Sequence, residues 1–154
     1  MKSTELDGDV GLAPVGTETA ITDFTQLQKY QIEKQTLEIS EQFDLLAQRE
    51  DNWDGRGSRK PTDLTLAHAK EVMGAFLNAV ISSGHRCDTP SISSDGDGNV
   101  TTVWYKGKRQ LHFQIGEHEA EYFKVWGTNI DTEMDVDVLK PENYLTLWEW
   151  LIDE

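Results

Sequence analysis

The sequence predicts an α+β domain in which two N-terminal helices pack on a four- to five-stranded antiparallel meander, followed by a short C-terminal helix. In the first half of the chain, apolar residues recur at three- and four-residue steps, as on one face of a helix. In the second half they alternate with polar residues between turn sequences, as in short strands. Helices and strands segregated in this way are typical of α+β folds. The 154 residues suffice for one core, and we expect residues 23–154 to form this single domain.

Residues 1–22 are rich in Gly, Thr and acidic residues and contain few large apolar ones, so we expect a mobile acidic arm. The first helix is predicted from Phe24 to about Arg49, with Thr22 or Asp23 as its N-cap. A helix of this length would reach roughly 40 Å. We therefore expect part of it either to extend beyond the core or to form a homodimer contact. Its apolar stripe consists of Ile32, Thr36, Ile39, Phe43 and Leu46.

The second helix is predicted to begin after a Gly-containing loop over residues 51–61. Thr62 or Asp63 is placed to cap its N-terminus, and Gly84 is placed to end it. The spacing of its apolar residues defines one buried face. That face consists of Leu66, Ala69, Met73, Phe76, Leu77 and Val80.

The loop between the helices reads N-W-D-G-R-G over residues 52–57 and ends at Pro61. It resembles the N-W-D-G-x-G-A-x-P loop of small acidic bacterial and phage-associated proteins, which also joins two helices and precedes a hairpin. The resemblance covers residues 45–105, with Ser58 in place of alanine and one additional residue before the proline. It implies the order helix, loop, helix, hairpin and no particular activity. We expect a structural role, in which Trp53 fills a gap between the helices and Asp54 binds turn amides.

The remaining residues predict the meander and the last helix. Strands are expected at residues 91–94, 100–105, 109–115 and 119–126, and the intervening turns contain Gly, Asp or Lys. A fifth extended segment is expected at residues 130–138, where apolar and acidic residues alternate. After Pro141, the period returns to that of a helix over residues 142–152.

The charge of the chain is strongly acidic and unevenly distributed. Asp and Glu number 28 against 14 Lys and Arg, giving a net charge of −14. This balance argues against direct binding of nucleic acid or of an anionic membrane. Residues 1–23 hold five acids and one base, and residues 129–154 hold eight acids and one base. Most of the excess negative charge is therefore predicted to lie at the two ends of the chain.

The sequence also favours a cytoplasmic location. Its first residues lack the apolar segment of a secretory signal, and no apolar run approaches the roughly 20 residues of a membrane span. The single cysteine cannot form an intramolecular disulfide, which fits a reducing compartment.

The fifth extended segment contains the sharpest pattern for partner binding. In a strand, residues two apart share a face, so four alternating carboxylates would form an anionic row roughly 20 Å long. They are Asp131, Glu133, Asp135 and Asp137. Such a row resembles a phosphate backbone in sign and regular spacing. The opposite face, Ile130, Met134, Val136 and Val138, is expected to hold the segment on the core. The alternative is an edge strand that its charges protect from aggregation.

A second binding element is predicted on the last helix. Trp148 and Trp150 point in directions about 200° apart, so one of them is expected to be exposed. An exposed Trp150 would be a good anchor for a protein interface. Its predicted rim consists of Glu149, Asp153 and Glu154.

The sequence shows no set of residues typical of catalysis or metal binding. It lacks a P-loop, a G-x-S-x-G motif and an H-E-x-x-H motif. Residues 95–99 begin like a calcium loop, but Val100 and Lys106 stand where Gly and Glu are required, so a hairpin turn is expected. The neighbouring Asp88 is expected to raise the pKa of Cys87. We therefore expect no enzyme activity, no cofactor and no metal.

These observations favour an acidic inhibitor protein of the phage-encoded anti-CRISPR or anti-restriction type. It would block a basic nucleic-acid-binding surface of a partner protein by nucleic-acid mimicry, and its charge would speed capture of that partner. One alternative is an antitoxin or immunity protein that neutralises a basic toxin. A second is a small hydrolase that uses His112, His118 and nearby acids. A third is a scaffold subunit that dimerises through its first helix.

Overall fold

The computed structural model describes the backbone of residues 17–153 and the side chains of residues 25–153. The described residues divide into two units, one that ends at Gln31 and one that begins at Ile32. The first unit contributes the beginning of helix α1, which spans Thr17–Ala47. This helix begins seven residues before the predicted start at Phe24, because neither Gly nor Pro interrupts the chain after Gly16. Residues 1–16 of the predicted acidic arm lie outside the described residues.

The second unit has the predicted α+β fold. From the part of α1 that belongs to it, Ile39, Phe43 and Leu46 enter the core, whereas the predicted stripe member Thr36 is exposed. Helix α2 spans Asp63–Ser82 and buries its predicted apolar face. The Thr62 hydroxyl caps α2 by accepting a hydrogen bond from the Thr65 backbone N–H at 3.1 Å. Within the described helices, none has the length and apolar character needed to cross a bilayer.

The five strands form one antiparallel sheet in sequence order, as predicted for a meander. They are β1 Ser91–Ser94, β2 Val100–Lys106, β3 Arg109–Ile115, β4 Ala120–Val125 and β5 Met134–Val138. A 3₁₀ turn at Pro141–Asn143 leads into α3, Tyr144–Ile152. One sheet face is buried along β2 and β3, through alternate residues. These are Val100, Thr102, Trp104, Leu111, Phe113 and Ile115.

Phe76 lies at the centre of the core. Its ring is 5.0 Å from both Trp104 and Phe113, 5.6 Å from Tyr144 and 6.2 Å from Trp148, measured between centroids. These five rings join α2 to β2, β3 and α3. The tilted and edge-to-face angles are those that aromatic rings prefer.

The two edges of the sheet differ in how they are covered. At β1, the Gln42 side chain of α1 accepts a hydrogen bond from the Ile92 N–H at 2.9 Å and donates to the Pro90 carbonyl at 3.0 Å. The amide thus pairs with the edge as a neighbouring strand would. At the opposite edge, β5 pairs with β4 alone among the described strands. The outer edge of β5 is therefore the open edge of this sheet.

Candidate protein-binding surface

The structure does not form the predicted row of four carboxylates. Strand β5 begins at Met134, so Asp131 and Glu133 lie in the turn that precedes it. The Glu133 carboxylate accepts a hydrogen bond from the Asn129 N–H at 3.0 Å, and the Asn129 side chain accepts one from the Asp131 N–H at 3.0 Å. These bonds curl the chain before it becomes extended. The prediction of one straight strand over residues 130–138 was therefore wrong.

The two faces of β5 are also reversed relative to the prediction. Asp135 pairs with Lys124, which pairs with the buried Leu111, so these three side chains share the helix-covered face. Asp137 lies on the same face, beyond the helices, and is exposed. Met134, Val136 and Val138 instead lie on the uncovered face, where Val136 is 41% and Val138 51% exposed. The prediction that these apolar residues pack on the core was therefore wrong. It was also wrong for Ile130, which is 68% exposed.

Most carboxylates in the described residues are not neutralised by nearby cations. Among residues 25–153, Lys or Arg lies within ion-pair distance of a carboxylate at two places, Lys106 with Asp88 and Lys124 with Asp135 at 4.0 Å. No such cation lies beside Asp131, Glu133 or Asp137 in the part of the chain that the structure describes. Of these three residues, Asp131 and Asp137 are exposed, so their charges are presented to solvent.

The open edge of β5 combines charge with unpaired backbone groups. Trp126 N–H donates to the Glu133 carbonyl at 3.0 Å, and Leu139 N–H donates to the Ala120 carbonyl at 2.9 Å. In an antiparallel pair, every second residue directs its backbone N–H and C=O to the neighbouring strand. Because Glu133 and Leu139 bond to the β4 side, the N–H and C=O groups of Met134, Val136 and Val138 point away from β4. The Val138 N–H is bonded to the Asp137 carboxylate at 2.7 Å. The backbone N–H and C=O groups of Met134 and Val136 can therefore pair with an added strand.

The side chains at this edge define which strand would fit. Acidic residues lie on one face of β5 and apolar residues on the other. An added strand would match both faces if cationic and apolar residues alternated along it. A second copy of β5 would place like charges close together, which is unfavourable.

The second predicted binding element has different surroundings from those expected. Trp150 is half-buried, with the Arg109 guanidinium 5.1 Å and the Lys124 ammonium 5.4 Å from its ring centroid. Arg109 also donates to the backbone carbonyls of Trp150 and Asp153 at the end of α3. These are orphan carbonyls at the negative end of a helix, which attract a cation. The expected acidic rim is therefore replaced by a cationic one.

The three acidic residues predicted around Trp150 are placed as follows. Glu149 is 3.2 Å from the His85 ring nitrogen. Asp153 is exposed at the end of α3. Glu154 lies outside the described residues.

The histidines named for the hydrolase alternative line different cavities. His112 lies on the uncovered sheet face beside Phe123 and contacts the Gln110 side chain at 2.8 Å. Burial lowers the pKa of His112. His118 lies in the β3–β4 turn, where it lines a cavity of about 580 Å³ together with Arg59 and Glu119. No group of three His, Cys, Asp or Glu residues in the described chain is arranged to hold a metal ion.

The segment that begins like a calcium loop is the predicted hairpin turn. The Asp95 carboxylate accepts hydrogen bonds from the backbone N–H groups of Asp97 and Asn99, both at 2.9 Å. Its oxygens therefore hold the turn itself, as short polar side chains commonly do in tight turns.

The N-W-D-G loop is held by its own side chains. The predicted bonding of a turn amide by Asp54 is confirmed, whereas Trp53 is not among the described residues that pack against the core. The Asp54 carboxylate accepts hydrogen bonds from the Arg56 N–H at 2.9 Å and the Ser58 hydroxyl at 2.5 Å. These hydrogen bonds lower the pKa of Asp54, and the bond from the Ser58 hydroxyl has the larger effect. The Asn52 side chain accepts from the Gly57 N–H at 2.6 Å. Trp53 is half-buried under the Arg49 guanidinium, 3.8 Å from its ring centroid.

Cys87 is buried and its thiol is held in the neutral form. Burial first, and the adjacent Asp88 second, raise the pKa of Cys87 to about 12. Because the thiolate is the reactive species, iodoacetamide at neutral pH should leave Cys87 unmodified in the folded protein. Mass spectrometry after denaturation should show complete alkylation. Rapid alkylation of the folded protein would contradict the buried position of the thiol.

No family model, curated protein or solved structure matches the sequence.

Proposed function

We propose that the protein is a non-enzymatic inhibitor that occupies a basic nucleic-acid-binding surface of a partner protein. The observation that carries this proposal is that most carboxylates among the described residues have no Lys or Arg within ion-pair distance, in a chain of net charge −14. A partner evolved to hold phosphates would attract such a surface at long range and would lose access to nucleic acid once it is occupied.

The contact we propose is the open edge of β5 rather than a linear row of four charges. Asp135 and Asp137 share one face, two residues apart, which separates them by about 7 Å along the strand. An extended Lys- or Arg-rich segment of the partner could pair with the backbone of Met134 and Val136 and place its cations beside these carboxylates. Asp131, at the start of the same edge, would add to the attraction.

The proposal is tested by competition with nucleic acid. Immobilised protein is used to capture partners from a host lysate, and each captured protein is purified and bound to labelled DNA or guide RNA. We expect the free protein to displace the nucleic acid, with affinity falling steeply between ~0.05 M and ~0.5 M NaCl. Binding to a basic toxin without displacement of nucleic acid would contradict the inhibitor proposal and favour the antitoxin alternative.

The contact is tested by a charge-neutralising double variant. Asp131→Asn with Asp137→Asn should weaken displacement at least about tenfold at low salt, because both carboxylates are exposed at the proposed contact and have no cation beside them among the described residues. The matched control is Glu41→Gln with Asp44→Asn, which removes the same charge from an exposed part of α1. Equal losses in the two double variants would contradict a specific contact at β5 and would indicate a general effect of net charge.

A further inference from the structure

A small cationic cavity stands out on this acidic molecule. It has a volume of about 340 Å³ and is formed by the β2–β3 turn, β4 and the end of α3. Three of the 14 lysines and arginines of the chain line it, together with two tryptophans. The lining residues are Lys108, Arg109, Lys124, Trp126 and Trp150. No carboxylate is among them.

The aromatic walls and two of the cations are held in place before any ligand binds. The rings of Trp126 and Trp150 are 6.2 Å apart at 70°, an edge-to-face arrangement. Arg109 and Lys124 both lie over the Trp150 ring, at 5.1 Å and 5.4 Å from its centroid. Cation–π contacts of this kind restrict the positions of both side chains. The cavity therefore presents flat apolar surface next to fixed positive charge.

The structural roles of these cations leave donors for a ligand. Arg109 uses one terminal nitrogen to cap the carbonyls of Trp150 and Asp153, while a guanidinium has five N–H donors in all. Lys124 has Asp135 at 4.0 Å, a distance too long for a hydrogen bond. Lys108 is exposed and lies in no ion pair with a described carboxylate. Helix capping thus occupies some of the N–H donors of Arg109 and none of those of Lys108.

We propose that this cavity binds a small organic anion in which a flat aromatic ring carries a phosphate or carboxylate group. The ring would pack on the tryptophans, and the anionic group would lie among Lys108, Arg109 and Lys124. The volume falls in the range of about 300–1,000 Å³ that is usual for small-molecule sites. The net negative charge of the protein opposes anion binding at long range, but at physiological salt this repulsion is screened beyond about 8 Å. This site adjoins the contact proposed at β5, because Lys124 lies 4.0 Å from Asp135, but its argument does not rest on that contact.

The experiment titrates the full-length protein with four probes and follows binding by calorimetry and by the indole N–H signals in NMR spectra. Adenosine monophosphate supplies ring and phosphate, and naphthoate supplies ring and carboxylate. Adenosine and inorganic phosphate supply the ring alone and the anion alone. We expect saturable binding of one or both ring-bearing anions below about 1 mM, with adenosine and inorganic phosphate at least about tenfold weaker. A further titration with 1-naphthyl phosphate, which carries the same ring as naphthoate, identifies the preferred anionic group.

Matched lysine variants test the location. Lys108→Met with Lys124→Met should weaken binding at least about tenfold, and Lys108→Met alone, at an exposed turn position, should weaken it in the same direction. Lys34→Met with Lys140→Met removes the same charge elsewhere and should leave affinity within about twofold. The proposal is overturned if neither ring-bearing anion binds saturably, if inorganic phosphate binds as tightly as they do, or if the control pair weakens binding equally.

Discussion

Replacing Phe76 with alanine is expected to lower the free energy of unfolding by about 3–5 kcal/mol, the largest effect of any single substitution considered for this protein. Its side chain is fully buried and contacts the rings of Trp104, Phe113, Tyr144 and Trp148. The substitution removes these contacts and leaves a cavity where α2, the sheet and α3 meet. Because small domains are stable by only about 5–15 kcal/mol, the variant should lie close to its unfolding transition.

Urea unfolding followed by tryptophan fluorescence measures this loss. The matched control is Leu64→Ala on the same helix, since Leu64 is 59% exposed and its truncation should change stability by no more than about 0.5 kcal/mol. A loss for Phe76→Ala as small as that of the control would mean that the five aromatic rings do not form the centre of the core.

The prediction succeeded where one face of an element is buried by its neighbours. The apolar spacing of α2 and the alternation in β2 and β3 specify faces that pack on each other, so pattern and burial agree. The cap at Thr62 and the turn at residues 95–99 were also predictable, because short-range hydrogen bonds decide them.

The prediction failed at β5 because no such constraint exists there. The alternation of residues 130–138 predicts a buried apolar face, yet the helices do not cover β5 and its residues are largely exposed on both faces. Local bonds around Asn129 then fixed where the strand begins, and pairing with β4 fixed which face each residue takes. A period of two identifies a strand, but it cannot tell which face meets the core when both are exposed.

The cationic surroundings of Trp150 could not be predicted from the sequence, for a different reason. The neighbours of Trp150 along the chain are acidic, whereas the cations that line its cavity come from β3, β4 and the turn between β2 and β3. Only the strand order and register bring Lys108, Arg109 and Lys124 to the end of α3. The adjacent Lys108 and Arg109 and the distant Lys124 form no periodic pattern in the sequence that could have revealed the cavity.

The second large effect is expected at Gly98, where the β1–β2 turn meets the N-W-D-G loop. Gly98 has a φ of +86°, and a Cβ there would lie 3.0 Å from the Lys60 carbonyl oxygen. The Arg59 N–H also donates to the Gly96 carbonyl at 2.9 Å, so loop and turn are bonded directly. Gly98→Ala should therefore combine the strain of a positive φ with a steric clash, and we expect a loss of about 2–3 kcal/mol in the free energy of unfolding.

Gly84→Ala separates the two contributions, because Gly84 has a φ of +91° and nothing within 4 Å of the added Cβ. It should cost only about 1 kcal/mol, the strain alone. A larger loss at Gly98, measured by urea unfolding of both variants, would show that the N-W-D-G loop and the hairpin resist separation. The loop would then act as a structural brace for the end of the sheet, in agreement with the internal bonds of Asn52 and Asp54. Equal losses would mean that the Lys60 carbonyl moves aside without cost, and the contact between Gly98 and Lys60 would then not brace the sheet.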